Sequence, residues 1–314
     1  MTNADWRYAF TSVAGTSHTR GGLPCQDASD CQILHTEAGT PVLVALIADG
    51  AGSASHSAAG AQLACALLRD EIATLLDTGG AIEEITRDFV VAWLTHFQHA
   101  VAERAEAEGG TSREFACTLL AAIVSDEAAI FFQVGDGAIV VADPDEPDEY
   151  GWIFWPQRGE YENVTVFITD PRAAEYLEHE IGTRSFPEIA LFTDGLQRLA
   201  LHFASASVHN PFFRPIFPPL RAGSPGYLPE LSAALARFLE SPAVNGRTDD
   251  DKTLVLATRR AAAAPPASAP PPVTDAPTTA TIIDEEASDT DQEQRPDTDV
   301  PTEQRAGSPD DVIR

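Results

Sequence analysis

The spacing of apolar positions changes period several times along the first 260 residues. Residues 6–12 alternate, and 41–47 (PVLVALI) form an unbroken apolar run, which predicts one strand and then a second buried on both faces. Residues 57–76 are rich in Ala and Leu and predict a helix. Ile82, Ile85, Phe89, Trp93, Phe97, Ala100 and Arg104 then recur every three or four residues. That spacing predicts one long amphipathic helix over 81–108, bounded by Gly79-Gly80 and Gly109-Gly110. His96 and His99 fall on or near its wetter side and read as solvent-facing.

Short strand-like runs follow at 115–124, 128–134, 138–141, 151–155, 164–169 and 189–193, separated by turns rich in Asp, Pro and Gly. A helix is predicted over 228–240 and a last strand over 253–258. Strands that succeed one another without helices pair antiparallel, so the pattern predicts an α+β sandwich rather than a doubly wound parallel sheet. In 201–227 the prolines speak against any regular element, while Phe203, Phe212, Phe213, Ile216 and Phe217 require burial. The segment reads as a compact flap packed by its own aromatics, or equally as an ordinary packed surface loop.

Composition adds a boundary. Of 314 residues, 48 are acidic and 20 basic, a net charge of −28. Residues 261–314 carry 12 acids against 3 bases, together with many Pro, Thr, Ser and Ala, and no apolar periodicity. They are predicted to form a disordered acidic tail behind a single folded domain at 1–260. Thr281, in Thr-Ile-Ile-Asp, resembles a site that a kinase marks for a phosphothreonine reader, although a chance match in a Thr-rich tail is the favoured reading. A chain this acidic is not built to hold nucleic acid or an anionic membrane, since both need clustered Lys and Arg. Residues 1–10 lack the apolar segment of a signal peptide, and the longest apolar run, 42–48, is too short to span a bilayer. A cytoplasmic protein is the expectation. Cys25, Cys31, Cys65 and Cys117 form no CxxC pair and read as buried thiols.

The candidate chemistry lies at the ends of apolar runs. Asp49 ends PVLVALIAD, Asp136 sits in QVGDGAIVV, Asp194 in ALFTDG, Asp250 within an acidic triplet before KTLVLA, and Asp27 in PCQDAS. A single Asp-Gly after a strand is an ordinary turn. Several of them gather carboxylates at one mouth of a sheet, where they repel and raise one another's pKa unless a cation intervenes. Oxygen-only ligands suit a hard divalent ion, and Gly50 lets its carbonyl approach one closely. One or two such ions activate water and clamp phosphoryl oxygens, which reconciles an acidic protein with an anionic substrate.

GTSHTRGGLPCQDAS, ALIADGAGSASHSAAGA, FFQVGDGAIVV, LFTDG and TDDDKTLVLA occur in the order seen in metal-dependent protein phosphatases of the 2C type, and the chain resembles their compact bacterial branch over about residues 8–258. The resemblance implies a four-layer α/β/β/α sandwich of two antiparallel sheets flanked by helix pairs. It implies hydrolysis of phosphoserine and phosphothreonine with two manganese or magnesium ions, with phosphoproteins and a cognate Ser/Thr kinase as partners. Position by position it assigns Asp49 as the bridging ligand, Gly50 as a carbonyl ligand, Asp194 and Asp250 (with Asp249 a neighbouring alternative) as further ligands, Asp27 as the Asp of a Glu-Asp pair, and Asp136 near an accessory third ion. A water bridging the ions at Asp49 is the expected nucleophile, attacking in line.

This sequence departs from the family at three places. Gln26 stands where many members have a metal-binding Glu, and Ala51 where some have a histidine proposed as general acid. Arg198 stands where some have an Asp, which speaks against an accessory ion there. The usual phosphate-binding Arg position falls on Gly22. Arg20 and His18 are the alternatives, Arg20 favoured for its fixed charge and bidentate geometry. The alternative to an active protein phosphatase is a weak or inactive module that binds phosphoproteins, and a further one is a phosphatase of small phosphate esters.

Overall fold

The computed structural model describes residues 5–146, 148–157, 165–183, 186–260 and 262. The predicted tail, apart from Ala262, lies outside them, as does Thr281. In chain order the first elements are β1 (Arg7–Val13), α1 (Thr16–Gly21), β2 (Ala28–His35), β3 (Pro41–Ala48), α2 (Ser57–Asp77) and α3 (Arg87–Glu108). Strands β4 (Leu119–Val124), β5 (Ala129–Val134), β6 (Ala138–Ala142), β7 (Tyr150–Phe154), β8 (Glu178–Gly182) and β9 (Glu188–Phe192) follow. The last part holds α4 (Gln197–Ala200), β10 (Leu201–His202), β11 (Ser207–Val208), α5 (Asn210–Phe213), α6 (Phe217–Ala222), β12 (Gly226–Tyr227), α7 (Pro229–Leu239), α8 (Pro242–Asn245) and β13 (Lys252–Thr258).

Two large sheets form, with strand orders β2-β3-β4-β5-β8 and β12-β1-β13-β9-β6-β7, beside a two-stranded ribbon of β10 and β11. Every pairing is antiparallel except the two-residue contact of β12 with β1. Strand β3 shows why they stack. Val42, Val44, Leu46 and Ala48 face α2 and α3, where they meet Leu68, Trp93 and Phe97. Leu43, Ala45 and Ile47 face the other sheet, meeting Val255 and Leu191. Side chains alternate across a strand, so an unbroken apolar run serves two cores at once. The second sheet's outer face packs Ala9, Val140, Phe192 and Leu254 on Phe213, Phe217, Leu220, Leu235 and Leu239 from the C-terminal helices. The predicted four-layer α/β/β/α sandwich is therefore present. Gly60 lets α2 lie close, because a Cβ there would stand 2.0 Å from the Phe115 carbonyl. Among the described residues no helix is long and apolar enough to cross a membrane.

Several element predictions need correction. The helix expected over 81–108 is broken: a 3-10 turn at Ile82–Glu84 ends at Ile85, and Thr86 then caps α3 by accepting from the Phe89 amide at 3.3 Å. The strand expected from 115 starts at Leu119, since Ser112–Phe115 forms a 3-10 turn. Residues 165–169 are not a strand; their backbone joins the site edge through Ile168 N donating to Cys117 O at 2.8 Å. Strands β2 and β8 and helix α1 carry too mixed a polarity for a periodicity reading, β8 being a charged edge. Segment 201–227 is not devoid of regular structure. Pro211, Pro218 and Pro219 sit at the first turns of α5 and α6, where a missing N–H costs nothing. Phe212, Phe213 and Phe217 are buried as expected, whereas Phe203 is exposed. His96 and His99 face solvent, and Cys31, Cys65 and Cys117 are buried free thiols, with Cys25 partly buried.

Candidate active site

The five aspartates come from strand ends that share one side of the sandwich. Asp49 follows β3, and Asp27 precedes its antiparallel neighbour β2. Asp194 follows β9, and Asp250 precedes its neighbour β13. Asp136 lies in the turn by which the chain passes from β5 in one sheet to β6 in the other. The mouth between the two sheets thus collects all five. The close approach of its loops depends on glycine: a Cβ on Gly50 would stand 2.5 Å from the Gln26 carbonyl.

Their hydrogen bonds leave oxygens free on the inside. Asp27 Oδ2 accepts from the hydroxyls of Thr193 and Thr253, both at 2.8 Å, while its Oδ1 is buried without a partner among the described residues. Asp194 Oδ1 and Gln26 Oε1 are likewise buried and unpartnered. Asp136 Oδ2 accepts from Thr165 Oγ1 at 2.8 Å. Asp250, more exposed, has one carboxylate oxygen on the Asp251 amide at 2.9 Å.

Electrostatics shows the strain of this arrangement. Burial, reinforced by Asp27, Asp194 and Asp136, raises Asp49 well above the usual carboxylate range. Burial pushes Asp27 up to about 8 against the lowering effect of its two threonines, and burial with Asp136 and Asp250 pushes Asp194 up to about 7. Asp136 is raised by burial too. Like charges that must share a desolvated mouth hold on to protons instead.

The donor set fits one or more hard divalent cations. Oxygen donors dominate, buried carboxylate and amide oxygens stand unpartnered, and a cation would relieve the repulsion. Among the described residues no group of three or more His, Cys, Asp or Glu side chains is already closed into a metal cage.

The two candidate phosphate-binding residues diverge. Arg20 turns outward on α1, with Nε donating to Thr16 O at 2.8 Å and its side chain 72 % exposed beside Asp249. His18 turns inward and is buried, its Nδ1 2.8 Å from Asp251 Oδ1. Arg198 is exposed on α4. The resemblance aligns Asp250-Asp251-Lys252-Thr253 with the family's Asp-Asn-x-Thr pattern, but the sequence did not foresee the hydrogen bonds of Asp251 to His18 or of Thr253 and Thr193 to Asp27.

Beside the mouth opens a cavity of about 840 Å³, lined among others by Ala51, Ser53, Arg113, Thr165, Phe167 and Asp170. It adjoins the 49–53 loop and Thr165, the hydrogen-bond partner of Asp136.

A family model described as protein phosphatase 2C matches residues 14–240. Serine/threonine-protein phosphatase 3 of Escherichia coli (strain K12) is 42% identical over 251 residues, covering 79% of this chain and 96% of the relative. The fold is shared with serine/threonine phosphatase Stp1 from Staphylococcus aureus, with a TM-score of 0.52 at 16% identity over 80% of this chain and 94% of that one. A bacterial serine phosphatase gives a TM-score of 0.53 at 16% identity, over 82% and 99% of the two chains. With the aspartates gathered at the mouth of a two-sheet sandwich and the family match spanning most of the folded chain, this protein belongs to the protein phosphatase 2C family and is a phosphoric monoester hydrolase.

Proposed function

We propose that the chain hydrolyses phosphoserine and phosphothreonine in proteins, with Asp49, Asp27, Asp194, Asp250 and the Gly50 carbonyl holding two manganese or magnesium ions. The observation that carries this reading is the set of buried, unpartnered oxygens on Asp27, Asp194 and Gln26 at one mouth. When bound, the ions supply activation of a water and neutralisation of the phosphoryl oxygens. The protein's part is to hold the carboxylates in place: Thr193 and Thr253 fix Asp27, Thr165 fixes Asp136, and the Asp49 backbone is pinned to Thr118 in both directions at 2.8 and 3.0 Å. Asp136 is the candidate ligand for a third ion, with Arg198 speaking against one on its own side.

A peptide substrate is favoured over a small phosphate ester by the cavity beside the mouth, which exceeds what a sugar phosphate fills and whose wall carries charges of both signs, Arg113 with Glu114 and Asp170. The relative's printed name, a serine/threonine-protein phosphatase, supports the same choice. Phosphorylated proteins and the kinase that marks them are the implied partners. The binding-module reading rests on one observation, that Gln26 contributes an amide where a carboxylate would bind a cation more strongly.

Phosphate release from a phosphothreonine peptide during a manganese titration, with Asp49→Asn alongside, tests the proposal. Metal-dependent turnover that disappears in the variant is expected. Metal-dependent peptide binding without turnover would overturn it in favour of the binding module.

A further inference from the structure

The proposed reaction ends with a serine or threonine oxygen that departs poorly unless it receives a proton. The carboxylates at the mouth are committed to holding cations, so the proton must come from elsewhere. The space over Gly52, within the 49–53 loop, is bordered by two side-chain atoms: a Cβ built on Gly52 would lie 3.9 Å from His18 Nε2 and 4.0 Å from Gln26 Oε1. An amide oxygen has no proton to give, whereas an imidazole nitrogen does.

The His18 ring is held from behind. Asp251 Oδ1 lies 2.8 Å from Nδ1 and also accepts from the Gly15 amide at 2.6 Å, while Oδ2 accepts from the Gln26 amide at 2.5 Å. Asp251 is buried, and three such bonds leave its carboxylate one orientation. A carboxylate only accepts, so it retains the Nδ1 proton and leaves Nε2 as the atom that exchanges a proton over Gly52. Nε2 makes no hydrogen bond among the described residues. The pairing joins residue 18 to residue 251 and turns one of the two candidate phosphate-binding residues of α1 toward the mouth. An Asp–His pair of this kind orients the proton-transfer group in other hydrolases.

Resting on the phosphatase reading above, we propose that His18 is a catalytic residue that passes the Nε2 proton to the substrate's serine or threonine oxygen, and that Asp251 is its positioning residue. The water oxygen forms the new bond to phosphorus. The bond from phosphorus to the side-chain oxygen breaks with its electron pair on that oxygen, which takes the proton from Nε2. A proton of the consumed water returns to Nε2 by way of solvent, so one water is used for each alcohol and phosphate released.

The test compares His18→Asn with wild type, in manganese, on a phosphothreonine peptide and on p-nitrophenyl phosphate, whose phenolate leaves without a proton. The kcat on the peptide is expected to fall about 100-fold, within the usual range for loss of a general acid, against less than about tenfold on the aryl ester. Equal losses on both substrates, or no loss, would overturn the role. Wild-type protein inert toward both would overturn the phosphatase reading and this role with it. Asp251→Asn is expected to lower kcat on the peptide selectively while KM holds. Because that change disturbs the Gly15 and Gln26 contacts as well, the wild-type chain supplies a second readout. Long-range ¹H–¹⁵N spectra in magnesium are expected to show His18 Nε2 shifting when inorganic phosphate is added. A resonance unmoved by phosphate would overturn the proposal.

Discussion

Arg221 grips Glu188 with Nε and Nη2 at 2.7 and 2.6 Å from its two carboxylate oxygens, and Glu188 is wholly buried. The pair ties α6, in the proline-rich segment, to the first residue of β9, five positions before Thr193 and six before Asp194. Tyr150 OH at 3.1 Å, Thr258 Oγ1 at 2.8 Å and Arg260 Nη1 at 3.5 Å surround the same carboxylate. Removing one partner of a buried ion pair strands the other's charge, which is costlier than the pair's own net worth. Asp148, 2.7 Å from Arg221 Nη2, still pairs with the guanidinium, so Glu188→Ala is expected to lower the unfolding free energy by about 1–3 kcal/mol, read by urea denaturation at neutral pH. A loss below about 1 kcal/mol would show that Arg221 finds water instead.

The crowded aspartates make the metal-free protein sensitive to pH. Asp27 and Asp194 are raised, to about 8 and about 7, so the folded chain keeps protons that the unfolded chain has released. Stability is then full below the ordinary carboxylate range near 4 and is lost as pH rises through 7 and 8. In a chelator, the melting temperature is expected to fall between pH 5 and 8.5, and manganese is expected to restore most of the loss at the upper end. A flat profile would contradict the raised carboxylates.

Asp194→Asn removes one of those like charges. Chelated variant protein is expected to melt above wild type at pH 8 and to converge with it near pH 5, while metal-dependent hydrolysis falls by at least about 100-fold. Unimpaired hydrolysis would remove Asp194 from the site.

Gln26→Glu adds a carboxylate beside the buried and unpartnered position of Oε1. The added charge is expected to tighten manganese binding several-fold in isothermal titration and to lower the melting temperature in chelator. Tighter binding without the chelator penalty would place the new carboxylate outside the cluster.

Truncation after Arg260 is expected to leave the melting temperature and peptide turnover within error of the full chain. Arg259 donates to Asp126 at 2.6 Å and stacks 4.6 Å over the Trp6 ring, and Arg260 donates to Asp143 O at 2.6 Å. Truncation after Thr258 removes all three contacts and is expected to cost several degrees. Equal melting temperatures for the two truncations would show that the two arginines contribute nothing.

Much of this protein is determined by local pattern. The run 41–47 reads as a strand buried on both faces, and strands without intervening helices as antiparallel sheet, so an α+β sandwich follows from periodicity and chain order, while its two stacked sheets were implied by the family resemblance. The aspartates at the ends of those runs, with glycine beside Asp49, Asp136 and Asp194, announce a carboxylate site for the same reason. Tertiary structure decided what depends on partners far along the chain. Whether residue 18 or residue 20 faces the mouth turns on Asp251, more than two hundred positions away, because α1 is one short turn of helix whose inward side is set by that carboxylate rather than by any apolar stripe. Pro211, Pro218 and Pro219 mark loops when read alone, yet sit in helix starts once β9 and β13 offer an apolar face for Phe213 and Phe217 to cover. The polar strands β2 and β8 are strands only because a neighbour's backbone is there to pair with them, and hydrogen bonding between backbones carries no side-chain signature.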